Sequence, residues 1–172
     1  MRQAKRPATA ALAGPYGHPL HPLLVTVPVG AWIASLCFDV ASHVAGQAGT
    51  YAIGAYWLIA LGLAGAVVAA SVGVIDLAAI PTRTPAFRTA LVHMTVMLGA
   101  VALYAVSLAL RHADIAAPRP GPTSSGLLAL SAVALGVVAA GGWLGGKLSF
   151  RYGVRVADEA VQLDGFTDHE GR

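Results

Sequence analysis

Residues 53–80 read IGAYWLIALGLAGAVVAASVGVIDLAAI, an apolar run that carries a single charged side chain, that of Asp76. About 20 helical residues, each rising roughly 1.5 Å, cross the hydrocarbon layer of a membrane, so this run is long enough to do so. Three further apolar runs of this kind occupy residues 22–42, 90–110 and 127–148. We therefore predict an all-α protein with four transmembrane helices, because an open sheet would leave backbone groups unpaired in lipid.

The composition of the whole chain agrees with a lipid environment. Of the 172 residues, 56% are apolar and 11% are charged, and the mean hydropathy is +0.68, whereas about 25% of the residues in a soluble domain are charged. The net charge of +3 does not indicate a nucleic-acid partner, since the basic residues lie at the ends of apolar runs. The single cysteine, Cys37, lies inside an apolar run and argues against disulfides, Cys-based metal centres and thiol chemistry.

Short connections between the four runs predict an up-down-up-down bundle formed by residues 18–152. We expect residues 1–17 to form a basic cytoplasmic arm rather than a signal peptide, because its apolar stretch is too short. Residues 153–172 are rich in carboxylates and are expected to form an acidic cytoplasmic tail. Most Lys and Arg residues fall on the side of the chain termini, so the positive-inside rule places both termini in the cytoplasm. The sequence suggests no internal repeat beyond two helical hairpins of similar size.

Ionisable side chains inside or beside the apolar runs are the strongest functional signal in this chain, because an unpaired charge in a membrane costs a few kcal/mol or more. His18 and His21 stand at the start of the first predicted helix. Asp76 lies about one turn before the end of the second helix, and His93 lies about one turn inside the third. All four residues then belong to the cytoplasmic end of the bundle at a similar depth, and we expect them to converge.

Four interpretations of this cluster remain open. Haem b would take axial nitrogens from His93 and from His18 or His21. A divalent metal such as zinc would use His18, His21 and His93, with Asp76 as a ligand or as the partner of one. A proton relay or a quinone pocket would use the same groups near neutral pH. In the last interpretation the histidines only cap helix ends, and the protein is a non-catalytic scaffold or a subunit of a larger complex.

The opposite end of the bundle carries a different pair of charges. Asp39 lies near the outward end of the first helix, within reach of Arg111 at the end of the third. We predict a structural ion pair between them. No motif for a phosphate loop, a zinc protease or a serine hydrolase is present, so the sequence assigns no reaction.

These residues belong to a series of short motifs: HPLHP at 18–22, VPVG at 27–30 followed by Asp39, GVID at 73–76, His93, GWLGG at 142–146 and RYGV at 151–154. In this series the chain resembles a bacterial membrane family called domain of unknown function 2231, over about residues 15–156. The resemblance implies a multi-pass protein of the bacterial inner membrane. Some relatives are fused to a Rieske iron–sulfur domain, which implies a redox-associated role in electron transfer for His18, His21 and His93.

This chain contains no Cys/His cluster that could hold an iron–sulfur centre. Any redox partner is therefore expected to be a separate protein, and a homo-oligomer is the other partnership that the sequence allows.

Overall fold

The computed structural model describes residues 20–116 and 120–156 together with Glu159 and Gln162. The predicted arm at residues 1–17, His18 and most of the predicted tail lie outside these residues. Within the described residues every regular element is helical, which confirms the all-α prediction. The elements are α1 (Leu20–Leu24), α2 (Thr26–Val44), α3 (Ala48–Ala78), α4 (Pro85–Ile115), α5 (Ser125–Gly146) and a π-helical segment, Lys147–Arg151.

Helices α3, α4 and α5 begin before the predicted apolar runs, and side-chain caps mark the starts of α4 and α5. Helix α4 begins at Pro85, five residues before the predicted start, where Thr84 accepts a hydrogen bond from the backbone N–H of Phe87 at 3.1 Å. A proline at the first helical position lacks only an N–H that has no partner in the helix anyway. Ser124 caps α5 in the same way through the N–H of Leu127.

The first membrane segment is interrupted at Val25, between α1 and α2. Pro28 lacks a backbone N–H, so it cannot bond the carbonyl one turn earlier in the helix. The interruption agrees with the bend that the prolines of this segment predict, and it separates the turn that carries His21 from the rest of the helix.

The four long helices form a bundle in which α2 packs on α3 and α4 packs on α5, while α3 with α4 and α2 with α5 make the remaining neighbouring pairs. Helices α2 and α4 therefore lie diagonally across the bundle. Four segments are long and apolar enough to cross a membrane. Large apolar side chains cover much of the outer surface, with Trp57 at 64% and Trp143 at 68% exposed, as expected for a surface that faces lipid.

The two hairpins, α1–α2–α3 and α4–α5, are two copies of one unit, offset by 72 positions. Most of the buried residues of the first hairpin have a buried counterpart at that offset in the second. The matching pairs are Pro28 and Ala100, Trp32 and Tyr104, Ser35 and Ser107, Asp39 and Arg111, Ala55 and Leu127, Ile59 and Ser131, Gly62 and Ala134, Ala66 and Val138, and Ala69 and Gly141. The sequence suggested only that the two hairpins are of similar size, and the structure shows in addition that many of their buried positions correspond.

The backbone conformation also repeats at the 72-residue offset. Among the described residues, only two residues other than glycine have a positive φ, Arg83 at 66° and Arg155 at 58°, and they too are 72 positions apart. Because both hairpins start and finish at the same end of the bundle, the pseudo-two-fold axis that relates them runs along the bundle. This is the parallel type of repeat found in membrane proteins, with its axis along the membrane normal.

Candidate functional site

Equivalent residues of the two halves meet each other along the pseudo-two-fold axis. In the middle of the bundle the rings of Trp32 and Tyr104 stack with their centroids 4.2 Å apart and an interplanar angle of 10°. Both side chains are fully buried. This aromatic pair separates two polar layers, which we call the Asp39 end and the His21 end. The His21 end is formed by α1, the end of α3, the start of α4 and the end of α5.

At the Asp39 end, the equivalent positions carry opposite charges and form a buried ion pair. Nη1 and Nη2 of Arg111 each donate to one carboxylate oxygen of Asp39 at 2.7 Å. The Nε of Arg111 donates to Ser107, Nη2 also donates to Ser131, and Thr123 donates to Asp39. The structure thus brings together the two residues for which we predicted an ion pair and surrounds them with hydroxyl groups. Such a network is expected of a structural ion pair, since both charges have partners.

At the His21 end, the equivalent positions carry identical residues, and each histidine binds within its own half. Nδ1 of His21 lies 2.9 Å from the carbonyl oxygen of Ala69. Nδ1 of His93 lies 2.8 Å from the carbonyl oxygen of Gly141. The two acceptors are themselves equivalent residues, so the same helix-to-helix bond is made twice around the axis.

Two equivalent glycines make room for the imidazole rings. A Cβ atom at Gly73 would lie 3.0 Å from Cε1 of His21, and one at Gly145 would lie 3.3 Å from Cε1 of His93. A side chain at either position would press on the ring. The glycine-rich motifs of α3 and α5 therefore serve the histidines as well as the close approach of helices.

The hydrogen bonds place one proton on each ring. A carbonyl oxygen can only accept, so Nδ1 carries the proton, and in the neutral imidazole Nε2 keeps its lone pair. Within the described residues Nε2 of neither histidine forms a hydrogen bond. The two rings are half-buried and lie at the same end of the bundle. The site therefore presents two equivalent, oriented imidazole nitrogens.

The other predicted members of the cluster are placed differently. Asp76 lies at the same end, but its carboxylate accepts a hydrogen bond from Nε of Arg155 at 2.8 Å and not from His93. His18 lies outside the described residues. No group of three or more metal-binding side chains occurs in the part of the chain that the structure describes.

Sequence reasoning missed two components of this end, the glycines beside the rings and Arg155. A signal for both was present, because His21 and His93, Gly73 and Gly145, and Arg83 and Arg155 are all identical pairs at the 72-residue offset. Comparing the chain with itself at that offset would have found them.

The fold and the two polar layers on the pseudo-two-fold axis define a helical membrane protein built from two parallel hairpin repeats. A family model described as "Predicted membrane protein (DUF2231)" matches residues 17–158. The chain belongs to this family, which confirms the resemblance that its motifs show. Searches of curated proteins and of solved structures found no match.

Proposed function

We propose that this protein binds haem b between its two halves and takes part in electron transfer, with His21 and His93 as the axial ligands. The carrying observation is the pair of equivalent imidazoles, each held by a carbonyl at Nδ1 and each with Nε2 unbonded. Hydrogen bonding of one ring nitrogen orients the other and raises its basicity, as in most histidine ligands of metals. When bound, haem would supply one-electron chemistry.

The donor set favours haem over a zinc-type centre. Haem iron in an electron-transfer protein needs two axial protein ligands, whereas a structural divalent metal needs about four. The described residues supply two free imidazole nitrogens, and Asp76 is already bound to Arg155. In this proposal His18 is not required, and His21 on α1 and His93 on α4 would hold the group.

The proposal includes an orientation and a partner. In the described residues the exposed cations Arg83, Arg88 and Arg151 all lie at the His21 end, whereas Arg111 at the other end is buried. The positive-inside rule then supports a cytoplasmic position for the His21 end and for both termini, in the inner membrane of a bacterium. The electron partner we propose is a separate protein, since haem b is the chain's single redox group in this proposal.

A structural role for the histidines is the competing function. Each imidazole ties one helix to the next through a carbonyl, and this is what a scaffold protein would need. The two functions differ in what they require of Nε2, because only ligand binding uses that atom.

Haemin titration of the full chain in detergent distinguishes the two functions. We expect wild-type protein to bind haemin with the visible spectrum of a six-coordinate, bis-imidazole iron, and we expect His21→Ala and His93→Ala each to lose that spectrum. His43→Ala is the matched control, because His43 is exposed at the other end of the bundle. Wild-type protein that gives no bis-imidazole spectrum, combined with lower thermal stability of both alanine variants, would establish the scaffold instead.

A further inference from the structure

Among the described residues, the two best-buried arginines differ in how many of their N–H groups donate hydrogen bonds. Arg111 is 3% exposed, and all three of its guanidinium nitrogens donate hydrogen bonds. The side chain of Arg155 is 6% exposed, but it donates only through Nε, to Asp76. Its Nη1 and Nη2 atoms are buried, and no described residue accepts a hydrogen bond from them.

Buried guanidinium donors without an acceptor are costly, since a charged group loses its hydration and gains nothing in return. A planar fork of N–H groups matches two oxygens of a carboxylate or a phosphate. We propose that Arg155 is a binding site for such an anionic oxygen ligand at the His21 end of the bundle, with Asp76 holding the guanidinium in place through Nε.

The position of Arg155 indicates two sources for this ligand. Asp76 follows Gly73 by three residues, so Arg155 binds α3 roughly 5 Å beyond the ring of His21, towards the end of the bundle. A haem held by His21 would carry two propionate carboxylates, which are oxygen ligands that the fork of Arg155 could bind. This source rests on the proposed function.

The second source is the phosphate of an anionic lipid. Just after the end of α5, Nζ of Lys147 lies 5.8 Å from the ring centre of Trp143 and 5.9 Å from that of Tyr152. Trp143 is exposed, and aromatic rings beside cations at a helix end are typical of the headgroup layer. This source is independent of haem.

Arg83 provides a matched control, because it occupies the equivalent position in the first repeat and shares the positive φ, yet is exposed. The experiment compares wild-type protein, Arg155→Gln and Arg83→Gln as full chains in detergent. Haemin binding is followed by absorbance, and binding of phosphatidylglycerol by native mass spectrometry. We expect Arg155→Gln to weaken the binding of one probe by at least about tenfold, while Arg83→Gln binds as wild type does.

The two probes separate the sources. Weaker haemin binding with an unchanged bis-imidazole spectrum identifies the propionates, because the axial ligands are then intact. Weaker phosphatidylglycerol binding identifies the lipid phosphate and supports the inference even if wild-type protein binds no haemin, which would refute the proposed function alone.

Arg155→Lys guards against a folding defect. This variant keeps a cation for Asp76 but lacks the planar fork, so we expect it to fold and to show the same weaker binding. The inference is overturned if wild-type protein binds neither probe, or if the Arg155 variants bind both probes as well as Arg83→Gln does.

Discussion

The two ends of the pseudo-two-fold axis differ in how the equivalent polar residues of the two halves are paired. At the Asp39 end, the two halves place different residues at equivalent positions, and the positive side chain of one half pairs completely with the negative side chain of the other. At the His21 end, both halves keep histidine, and each ring bonds to its own hairpin. At the Asp39 end both charged groups have partners, whereas at the His21 end the Nε2 atoms of the two histidines have no hydrogen-bond partner among the described residues.

This difference has a physical origin in the repeat. Identical charges at positions that meet across an axis repel each other, so a repeat can bury charge on its axis only if one copy changes sign. Neutral imidazoles do not repel in this way, and both copies can therefore stay the same. In the proposed function a bound group joins the two rings, so the His21 end is the candidate binding site and the Asp39 end holds the structural ion pair.

Removing the ion pair between Asp39 and Arg111 is expected to lower the stability of the protein the most. Arg111→Ala would leave the carboxylate of Asp39 buried without a countercharge, and we expect a loss of about 3–5 kcal/mol in the free energy of unfolding. Denaturant unfolding in detergent measures it, with Arg88→Ala, an exposed cation, as a control within about 0.5 kcal/mol of wild type.

The charge-swapped variant Asp39→Arg/Arg111→Asp sharpens that test. Ser35 would stand where Ser107 now binds the guanidinium, but Ile59 would replace Ser131, so we expect about half of the lost stability to return. A swapped variant no more stable than Arg111→Ala would argue that the two positions are not equivalent.

A variant in the middle of the bundle tests whether the smaller neighbour of the larger ring is needed for packing. The larger ring of Trp32 lies against Gly62, and the smaller ring of Tyr104 has Ala134 at the equivalent place. Gly62→Ala would put a Cβ into the indole ring, and we expect it to lower stability by about 1–3 kcal/mol. Thermal unfolding measures this against Gly99→Ala, whose Cβ meets no atom within 4 Å. Equal stability of the two variants would contradict the close approach at Gly62.

At the His21 end, the two histidines are expected to contribute equally. His21→Ala and His93→Ala each remove one hydrogen bond to a carbonyl, and we expect each to cost about 1 kcal/mol in the absence of any ligand. Thermal unfolding of ligand-free protein makes the comparison. Losses of stability that differ by more than about 1 kcal/mol would show that the two histidines do not contribute equally.

The smallest effect is expected at Tyr104. Its hydroxyl is buried, and no described residue forms a hydrogen bond with it. Removing an unpaired buried polar atom costs little and can stabilise a protein, so we expect Tyr104→Phe to change stability by between zero and about +1 kcal/mol. A loss of stability would reveal a partner for the hydroxyl, such as a bound water, which denaturant unfolding would detect.

Much of the fold could be predicted from the sequence, but less of the candidate site. The positions of Asp39 and Arg111 along their helices were enough to predict that they meet, because both lie at the same depth on segments of known direction. The prediction that Asp76 joins the histidines did not foresee Arg155, whose approach depends on the chain path beyond α5. Nor did inspection of the sequence reveal the repeat, because at most of the matching positions the two halves share burial but not residue identity.

The sequence by itself determined the four transmembrane segments and the depth of each ionisable residue, because both follow from run length and from the fixed rise of a helix. Only the tertiary structure decided which residues meet on the axis. In lipid the outer faces and the packed faces of a helix are both apolar, so hydropathy does not set the rotation of a helix about its own axis. That rotation depends on close packing around Gly62, Gly73 and Gly145, and it is what turns two scattered histidines into an equivalent pair.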